Sequence, residues 1–426
     1  MTQLKELTYK LNNLDVHLIQ TEKFKTNSIQ LMIKAPLEEA TVAKRALIPQ
    51  ILQSATQKTP NRAEFRERLD ELYGAILATD IQKKGENHII SIRVDLANEK
   101  FLSDPTPLLE KGIKLLKEVL FEPLLENGHF QTDIFESEKR SLIQRIESVY
   151  DDKMRYANVR VTEEMFKGEP YALTAFGTKE QVQDLTSEVV TDYYEEMLNN
   201  NSFDLYLVGD FDIEEVKTLL SQEIKVRDVI KVDETKQQQH TKHITEPEVV
   251  FEEQDIKQGK LHIGFRTNTT FKDDDYVAMQ VVNGLFGGFS HSKLFINVRE
   301  KESLAYYAAS RFESHKGLIM VMSGIEFSKY DRAVEIIKEQ MKAMKEGQFN
   351  EAEVEQTKAM LINQLLESID VARGFVELSY HQVVSNHERS VESWIEEIKS
   401  VTKEEMIQVA QKIELDTIYF LKGKEA

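Results

Sequence analysis

The chain opens on alternating apolar and polar positions. LTYKLNNLDVHLIQT sets an Asn12-Asn13 turn between two alternating runs, and SIQLMIKA follows, so residues 4 to 34 predict three strands. The period then lengthens. Residues 37 to 58 read as helical, with a kink or break expected at Pro49, whose ring and missing N–H oppose a continuous helix. Asn61 to Tyr73 predicts an amphipathic helix: Phe65, Leu69 and Leu72 share a face, Asn61 and Glu64 form a capping pair, and Gly74 ends it. AILATDIQKK and HIISIRVDL predict antiparallel strands around Gly85-Glu86. Thr106 to Phe121, Thr132 to Phe166 and Thr186 to Met197 return to helical spacing. FDLYLVGDF (203 to 211) is a buried strand, and Ile213 to Ile224 a short helix.

Residues 228 to 248 are polar throughout and read as a linker. Within it, His240 and His243 have a metal-ligand spacing but no carboxylate companion, so they carry no site. Beyond it the layout repeats. KLHIGFRTN matches SIQLMIKA. LFINVREKESLAYYAASRFESHKGLIMVMSG matches RERLDELYGAILATDIQKKGENHIISIRVD. TKEEMIQVAQKIELDTIYFLKG matches TSEVVTDYYEEMLNNNSFDLYLVGD. A long period occurring twice implies a duplicated domain and not a solenoid. The expected organisation is a domain at 1–227, the linker at 228–248 and a second domain at 249–426, each an α+β unit with an antiparallel sheet and helices on one side.

One stretch concentrates candidate chemistry: Asn283 to Tyr307, NGLFGGFSHSKLFINVREKESLAYY. Gly284, Gly287 and Gly288 mark a tight or closely approached backbone. Leu294, Phe295 and Val298 fall at helical spacing, and Arg299 leads through a polar turn to the strand LAYYAAS. Arg299 and Tyr306 can thus meet at a strand end. Alternatively, Arg299 caps a helix C-terminus and Tyr306 is core.

Composition narrows the field. With 426 residues the chain exceeds one core, and 41% hydrophobic with 30% charged residues suits a globular protein. The absence of cysteine excludes disulfides, thiolate catalysis and Cys-ligated zinc. A net charge of −19 opposes phosphate backbones, which argues against nucleic-acid binding. The N-terminus lacks a basic-then-apolar signal pattern, and no stretch approaches the ~20 apolar residues that span a bilayer, so no membrane partner and a cytoplasmic location are expected. Asp273-Asp274-Asp275 lacks calcium-loop spacing and reads as a solvated turn before a helix. The Gly287-Gly288 stretch lacks the G-K-[ST] of a phosphate cradle, and Trp394 reads as core.

A resemblance then becomes specific. The region 47 to 60, Leu72-Tyr73-Gly74-Ala75, Phe176-Gly177-Thr178, Val208-Gly209-Asp210, Gly287-Gly288-x-Ser290-x-x-Leu-Phe and Arg299-Glu300 to Leu304-Ala305-Tyr306 occur in order over both halves. From Thr8 to Leu421 the chain resembles the pitrilysin family of zinc metallopeptidases, which includes the mitochondrial processing peptidase and insulysin. The resemblance implies two homologous α+β domains of the LuxS/MPP-like type forming a clamshell.

Active members carry H-x-x-E-H on a helix. Two histidines four apart share a Zn²⁺, the glutamate between them activates its water, and a later glutamate completes the ligands. The aligned positions here are Ala46, Pro49 and Gln50, and the later one is Arg145. A one-turn alternative alignment offers Glu138 or Glu147 without restoring the histidines. No metal site and no cofactor are therefore expected on this chain. In two-chain members one subunit holds zinc and the other supplies a glycine-rich loop with an Arg/Tyr pair that binds peptide and supports the tetrahedral intermediate. That pair maps to Arg299 and Tyr306, and the loop to Gly287 and Gly288. The family's strand asparagine is Ala78 here, which weakens a peptide-binding role for the first half. The expectation is a catalytically inactive subunit that pairs with a zinc-bearing paralogue to act on peptides. The alternative is a non-proteolytic binding scaffold on the same fold. Within the family the likeness points to the bacterial group named for association with elongation factor P 5-aminopentanol modification.

Overall fold

The computed structural model describes residues 5–104, 106–224 and 244–424. The chain forms two compact units, and the division is not a single cut. Met1–Ser148, Leu173–Gln237 and Ile369–Leu378 make the first; Val149–Ala172, Gln238–Ser368 and Ser379–Ala426 make the second. Each half of the sequence therefore lends a segment to the unit built mainly from the other. His240, His243 and most of the proposed linker lie outside the described residues.

In the first unit, strands β1 (Lys5–Leu11), β2 (Leu14–Gln20), β3 (Thr26–Pro36), β4 (Ile76–Lys84), β5 (Asn87–Ala97) and β8 (Ser202–Gly209) form one sheet in the order β1-β2-β8-β3-β5-β4. A two-stranded ribbon, β6 (Leu125–Glu126) and β7 (His129–Phe130), stands apart. All pairs of the main sheet are antiparallel except β2 with β8. Helices α1 (Val42–Leu52), α2 (Arg62–Glu71), α3 (Leu108–Phe121), α4 (Thr132–Asp151), α6 (Lys179–Gln183), α7 (Ser187–Asn200) and α8 (Ile213–Glu223) belong to this unit. The core forms where the period-two apolar positions of the strands meet the helices: Leu31, Ile33, Ile90, Ile92 and Leu205 pack with Leu47, Ile51, Ile113, Leu116 and Val190.

In the second unit, β9 (Glu248–Gln254), β10 (Gly259–Arg266), β11 (Ala305–Glu313), β12 (Leu318–Ile325) and β13 (Glu414–Gly423) are ordered β11-β12-β10-β13-β9. Only β13 with β9 is parallel. Read from the other end, this is the first sheet's order without β1, so the repeat seen in the sequence is a repeat of topology. Helices α9 (Tyr276–Asn283), α10 (Tyr330–Lys345), α11 (Glu351–Ser368), α13 (Val391–Ser400) and α14 (Lys403–Gln411) belong here, and α12 (Ala372–Ser385) begins in one unit and ends in the other.

Three local expectations change. Pro49 does not end α1, which runs through it from Val42 to Leu52, with Ala46, Leu47, Ile48, Ile51 and Leu52 on both sides of it buried. The helix drawn from Thr132 to Phe166 is two helices. Asp152 accepts from the Met154 and Arg155 backbone N–H groups and caps a new helix, α5 (Lys153–Met165). Helices do not lie on one side only. Ala157, Val161 and Met165 of α5 pack with Met320, Tyr419 and Leu421, on the sheet face opposite the one that carries Ile263, Phe265 and Val321.

Candidate functional site

The degenerate metal motif sits on α1. Ala46 is 1% exposed and Pro49 is buried in the helix; neither side chain can donate to a cation. The Gln50 amide oxygen accepts from Gln53 (3.2 Å), whose own oxygen accepts from the Thr79 hydroxyl on β4 (2.8 Å). Arg145 is exposed on α4, with its guanidinium 4.3 Å from the centre of the Phe176 ring. Neither alternative carboxylate is available: Glu138 is buried and takes hydrogen bonds from Ser54 (2.8 Å) and Arg62, and Glu147 pairs with Lys179. These residues do not fit a zinc ion, since an alanine, a proline, a hydrogen-bonded amide and a guanidinium stand at the four positions. Among the described residues no group of three or more His, Asp or Glu is arranged to hold a metal.

Beside the motif lies a residue that sequence reasoning passed over. Arg45 is fully buried under α1. Its Nη2 donates to the carbonyls of Ile33 (2.9 Å) and His88 (3.0 Å), and Nη1 to Asn201. Burial, with Arg45 adding to it, holds the His88 imidazole down at about 3, so it is neutral, and its Nε2 lies 2.9 Å from the Ala175 carbonyl oxygen. The only sequence signal was a cation immediately before the apolar run ALIPQIL.

The other candidate site is built on β11. Gly284–Gly288 is one wide π-helical turn continuing α9, so its glycines mark a closely approached backbone and not a tight one, and Phe295–Lys301 is a second wide turn that carries Arg299. Glycine is required at 287 by approach: a Cβ there would lie 2.7 Å from the Ser310 backbone nitrogen of β11. Val298 and Leu304 are buried and joined by a backbone hydrogen bond (Leu304 N to Val298 O, 3.0 Å), which fixes the corner between Arg299 and β11. Arg299 is exposed, 4.6 Å over the Phe295 ring. Tyr306 falls in a β-bulge, skipped between the pairs Ala305–Ile325 and Tyr307–Gly324, and is 68% exposed. The alternative of a core tyrosine therefore fails for Tyr306. Tyr307 is half-buried, and burial with nearby Asp152 pushes its hydroxyl up to about 12. A cavity of about 240 Å³ opens beside these elements, lined by Asn283, Gly284, Gly288, Phe289, Ser310 and Gln364 among others. Ala78 lies half-buried on the edge strand β4.

Two sheets of matching topology, with side chains on α1 that cannot hold a zinc ion, fit a metallopeptidase-like fold without metal ligands. Comparison with known proteins agrees. Residues 184–361 match the Peptidase M16 inactive domain. A probable inactive metalloprotease, YmfF of Bacillus subtilis (strain 168), is 49% identical over 425 residues, covering 100% of this chain and 99% of the relative. The B. subtilis (strain 168) protein AlbE, described as an antilisterial bacteriocin subtilosin biosynthesis protein, is 22% identical over 433 residues, covering 96% of this chain and 100% of the relative. The crystal structure of a conserved protein from Enterococcus faecalis V583 superposes with a TM-score of 0.91 at 32% identity, covering 99% of each chain. The chain belongs to the pitrilysin-like (M16) metallopeptidase family, as an inactive homologue. No helix among the described residues is long and apolar enough to cross a membrane.

Proposed function

We propose that this chain is the zinc-less subunit of a heterodimeric peptidase. It pairs with a zinc-bearing pitrilysin-like paralogue and contributes peptide binding and transition-state support. The observation that carries the reading is Tyr306. A bulge aims it into solvent at 68% exposure, the highest among the exposed large apolar side chains of the described residues, and it stands on an edge strand. An exposed phenol on a rigid bulge can donate to a developing oxyanion, and Arg299 across the corner can hold a peptide carbonyl. Gly287, buried against Ser310, lets the wide turn pack on β11, and the exposed Gly288 on the cavity wall gives the peptide backbone room. The open edge of β11 offers main-chain hydrogen bonds to an extended substrate, with alternate side chains read by the flanking surface. The partner would hold the zinc, which would supply Lewis-acid polarisation of the scissile carbonyl.

The test is kinetic. Turnover of a quenched-fluorescent peptide by the mixed subunits should fall about 10²-fold for Tyr306→Phe, the size of effect expected for one oxyanion donor. Arg299→Ala should raise KM. Unchanged kinetics in both variants would leave the second reading, a peptide- or protein-binding scaffold without proteolysis. The similarity to AlbE, described as a bacteriocin subtilosin biosynthesis protein, supports peptide handling under either reading.

A further inference from the structure

The two units carry the same sheet except at one edge. β2 runs parallel to β8, and β9 runs parallel to β13, so β9 is the counterpart of β2. In the first unit β1 pairs antiparallel with β2 and closes that edge; in the second, among the described residues, β9 has a neighbour on one side only.

The side chains register the difference. β1 sets Leu7, Tyr9 and Leu11 opposite Leu18, Val16 and Leu14, and those three β2 residues are 0% exposed. On β9, Val249 and Phe251 stand opposite the core residues Ile418 and Phe420, yet they are 47% and 53% exposed. The Phe251 ring lies 5.1 Å from Tyr330 and forms one wall of a groove of about 600 Å³, which Phe327 and Phe420 continue. Natural edge strands are usually blunted by lysine, proline or a bulge. β9 reads EVVFEEQ, with neither lysine nor proline; its edge charges are the carboxylates of Glu248, Glu252 and Glu253, which repel an acidic strand and leave the edge open to a basic one.

We infer that β9 is a docking edge for an extended segment of a partner protein, added antiparallel as β1 is added to β2. The occupant carries apolar side chains at alternate positions, seated over Val249 and Phe251, with Lys or Arg between them. Charge selects the basic partner. Glu248, Glu253, Glu326 and Asp331 border the edge and groove against Lys257 and Lys422, and Lys422 is already paired with Glu253 at 3.0 Å. The chain's net charge of −19 adds long-range attraction for a basic segment. β9 and β11 are opposite edges of one sheet, so this site stands or falls apart from the role of Arg299 and Tyr306.

The test uses the full chain and two blocked heptapeptides, Lys-Leu-Lys-Phe-Lys-Val-Lys and its counterpart with Glu for each Lys. Hydrogen exchange is followed at Glu248–Gln254. The basic peptide should slow alternate β9 amides at least about tenfold, as a new ladder of main-chain hydrogen bonds would. The acidic peptide should not. Phe251→Lys should weaken binding about tenfold or more, as loss of an interface aromatic does, and Phe251→Leu should restore most of it. Equal protection by both peptides, or by neither, overturns the proposal. So does protection already present in the isolated dilute chain, which would mean that a segment of this chain covers β9. Protection that grows with protein concentration alongside a dimer in sedimentation would assign the edge to a second copy and overturn it too.

Discussion

Gly287→Ala separates a packing requirement from ordinary helix preference, because the two give opposite signs. In a helical turn alanine is favoured over glycine by about 0.5–1 kcal/mol. At Gly287 the added Cβ would lie 2.6 Å from Ser310 Oγ, 2.7 Å from Leu294 Cδ1 and 2.7 Å from Ser310 N. The hydroxyl can rotate away, but the backbone nitrogen belongs to β11 and cannot. Overpacking costs about 1–3 kcal/mol, and a clash with strand backbone falls in the upper part of that range, so about 1–2.5 kcal/mol of destabilisation remains after the helix preference. Trp394, the chain's one tryptophan, reports on this unit: it is buried and its indole N–H donates to Gln280 of α9 (2.8 Å). Urea unfolding followed by Trp394 fluorescence should show the midpoint falling by about 0.5 M or more. Gly288→Ala is the control, since its Cβ would meet nothing closer than 3.3 Å, and its change should stay within about 0.5 kcal/mol. A Gly287→Ala midpoint equal to or above that of the parent would refute the approach of the wide turn to β11, and with it the rigid setting claimed for Tyr306.

Other expectations are independent of that corner. Arg45→Met should cost about 3–5 kcal/mol, since it leaves the Ile33 and His88 carbonyls without their buried donor; a loss under 1 kcal/mol in thermal unfolding would contradict the assigned hydrogen bonds. His17 is buried between β1 and β8, which would lower its pKa. The Asp204 (3.3 Å) and Glu6 (3.2 Å) carboxylates outweigh that and raise it from 6.5 to about 9. A raised folded-state value means stability fully present below about pH 6.5 and lost as pH climbs through 9. His17→Gln should remove that slope, worth roughly 3 kcal/mol, and titration of the His17 ring by NMR below pH 7 would oppose it. Glu118 behaves in the opposite sense. Burial would raise its carboxyl, but Arg68 (2.6 Å) and Thr56 hold it below the usual value. Its stabilising share is present above pH 4.5 and fades as pH falls through the depressed value, and Glu118→Gln should flatten the acid limb of a stability–pH curve. Tyr306→Phe should leave the unfolding free energy from urea titration within about 0.5 kcal/mol of the parent, as loss of an exposed hydroxyl would.

Much of this architecture is written locally in the chain. Period-two runs such as HIISIRVDL and LIMVMSG became β5 and β12 because alternation alone puts Ile90, Ile92 and Val94 on one face. The matched halves foretold the matched sheets. What stayed hidden depends on partners distant in sequence. Asp151-Asp152 held a cap signal that could have split the helix at 152, but an amphipathic stripe does not say which sheet it will cover, and α5 covers the second. Glycine permits both tight turns and wide helical turns, so Gly284–Gly288 could not be told apart from composition. Ala46, Pro49, Gln50 and Arg145 were set at the metal positions by the resemblance to the family, whose chemistry fixes residue types at fixed spacing. The bulge at Tyr306 was not legible, since it arises from the register of β11 on β12. Arg45 and Glu118 went unnoticed because buried charges satisfied by remote carbonyls and hydroxyls leave no local pattern.

The central claim is that this chain completes a peptidase whose zinc lies elsewhere. Its most direct test is native mass spectrometry with zinc quantification on this chain and its zinc-bearing paralogue, apart and mixed, with peptide turnover read on the same samples. The account predicts a one-to-one complex at micromolar concentration holding one zinc on the paralogue, with turnover well above that of either chain alone. Two separate species and a paralogue already fully active by itself would contradict it.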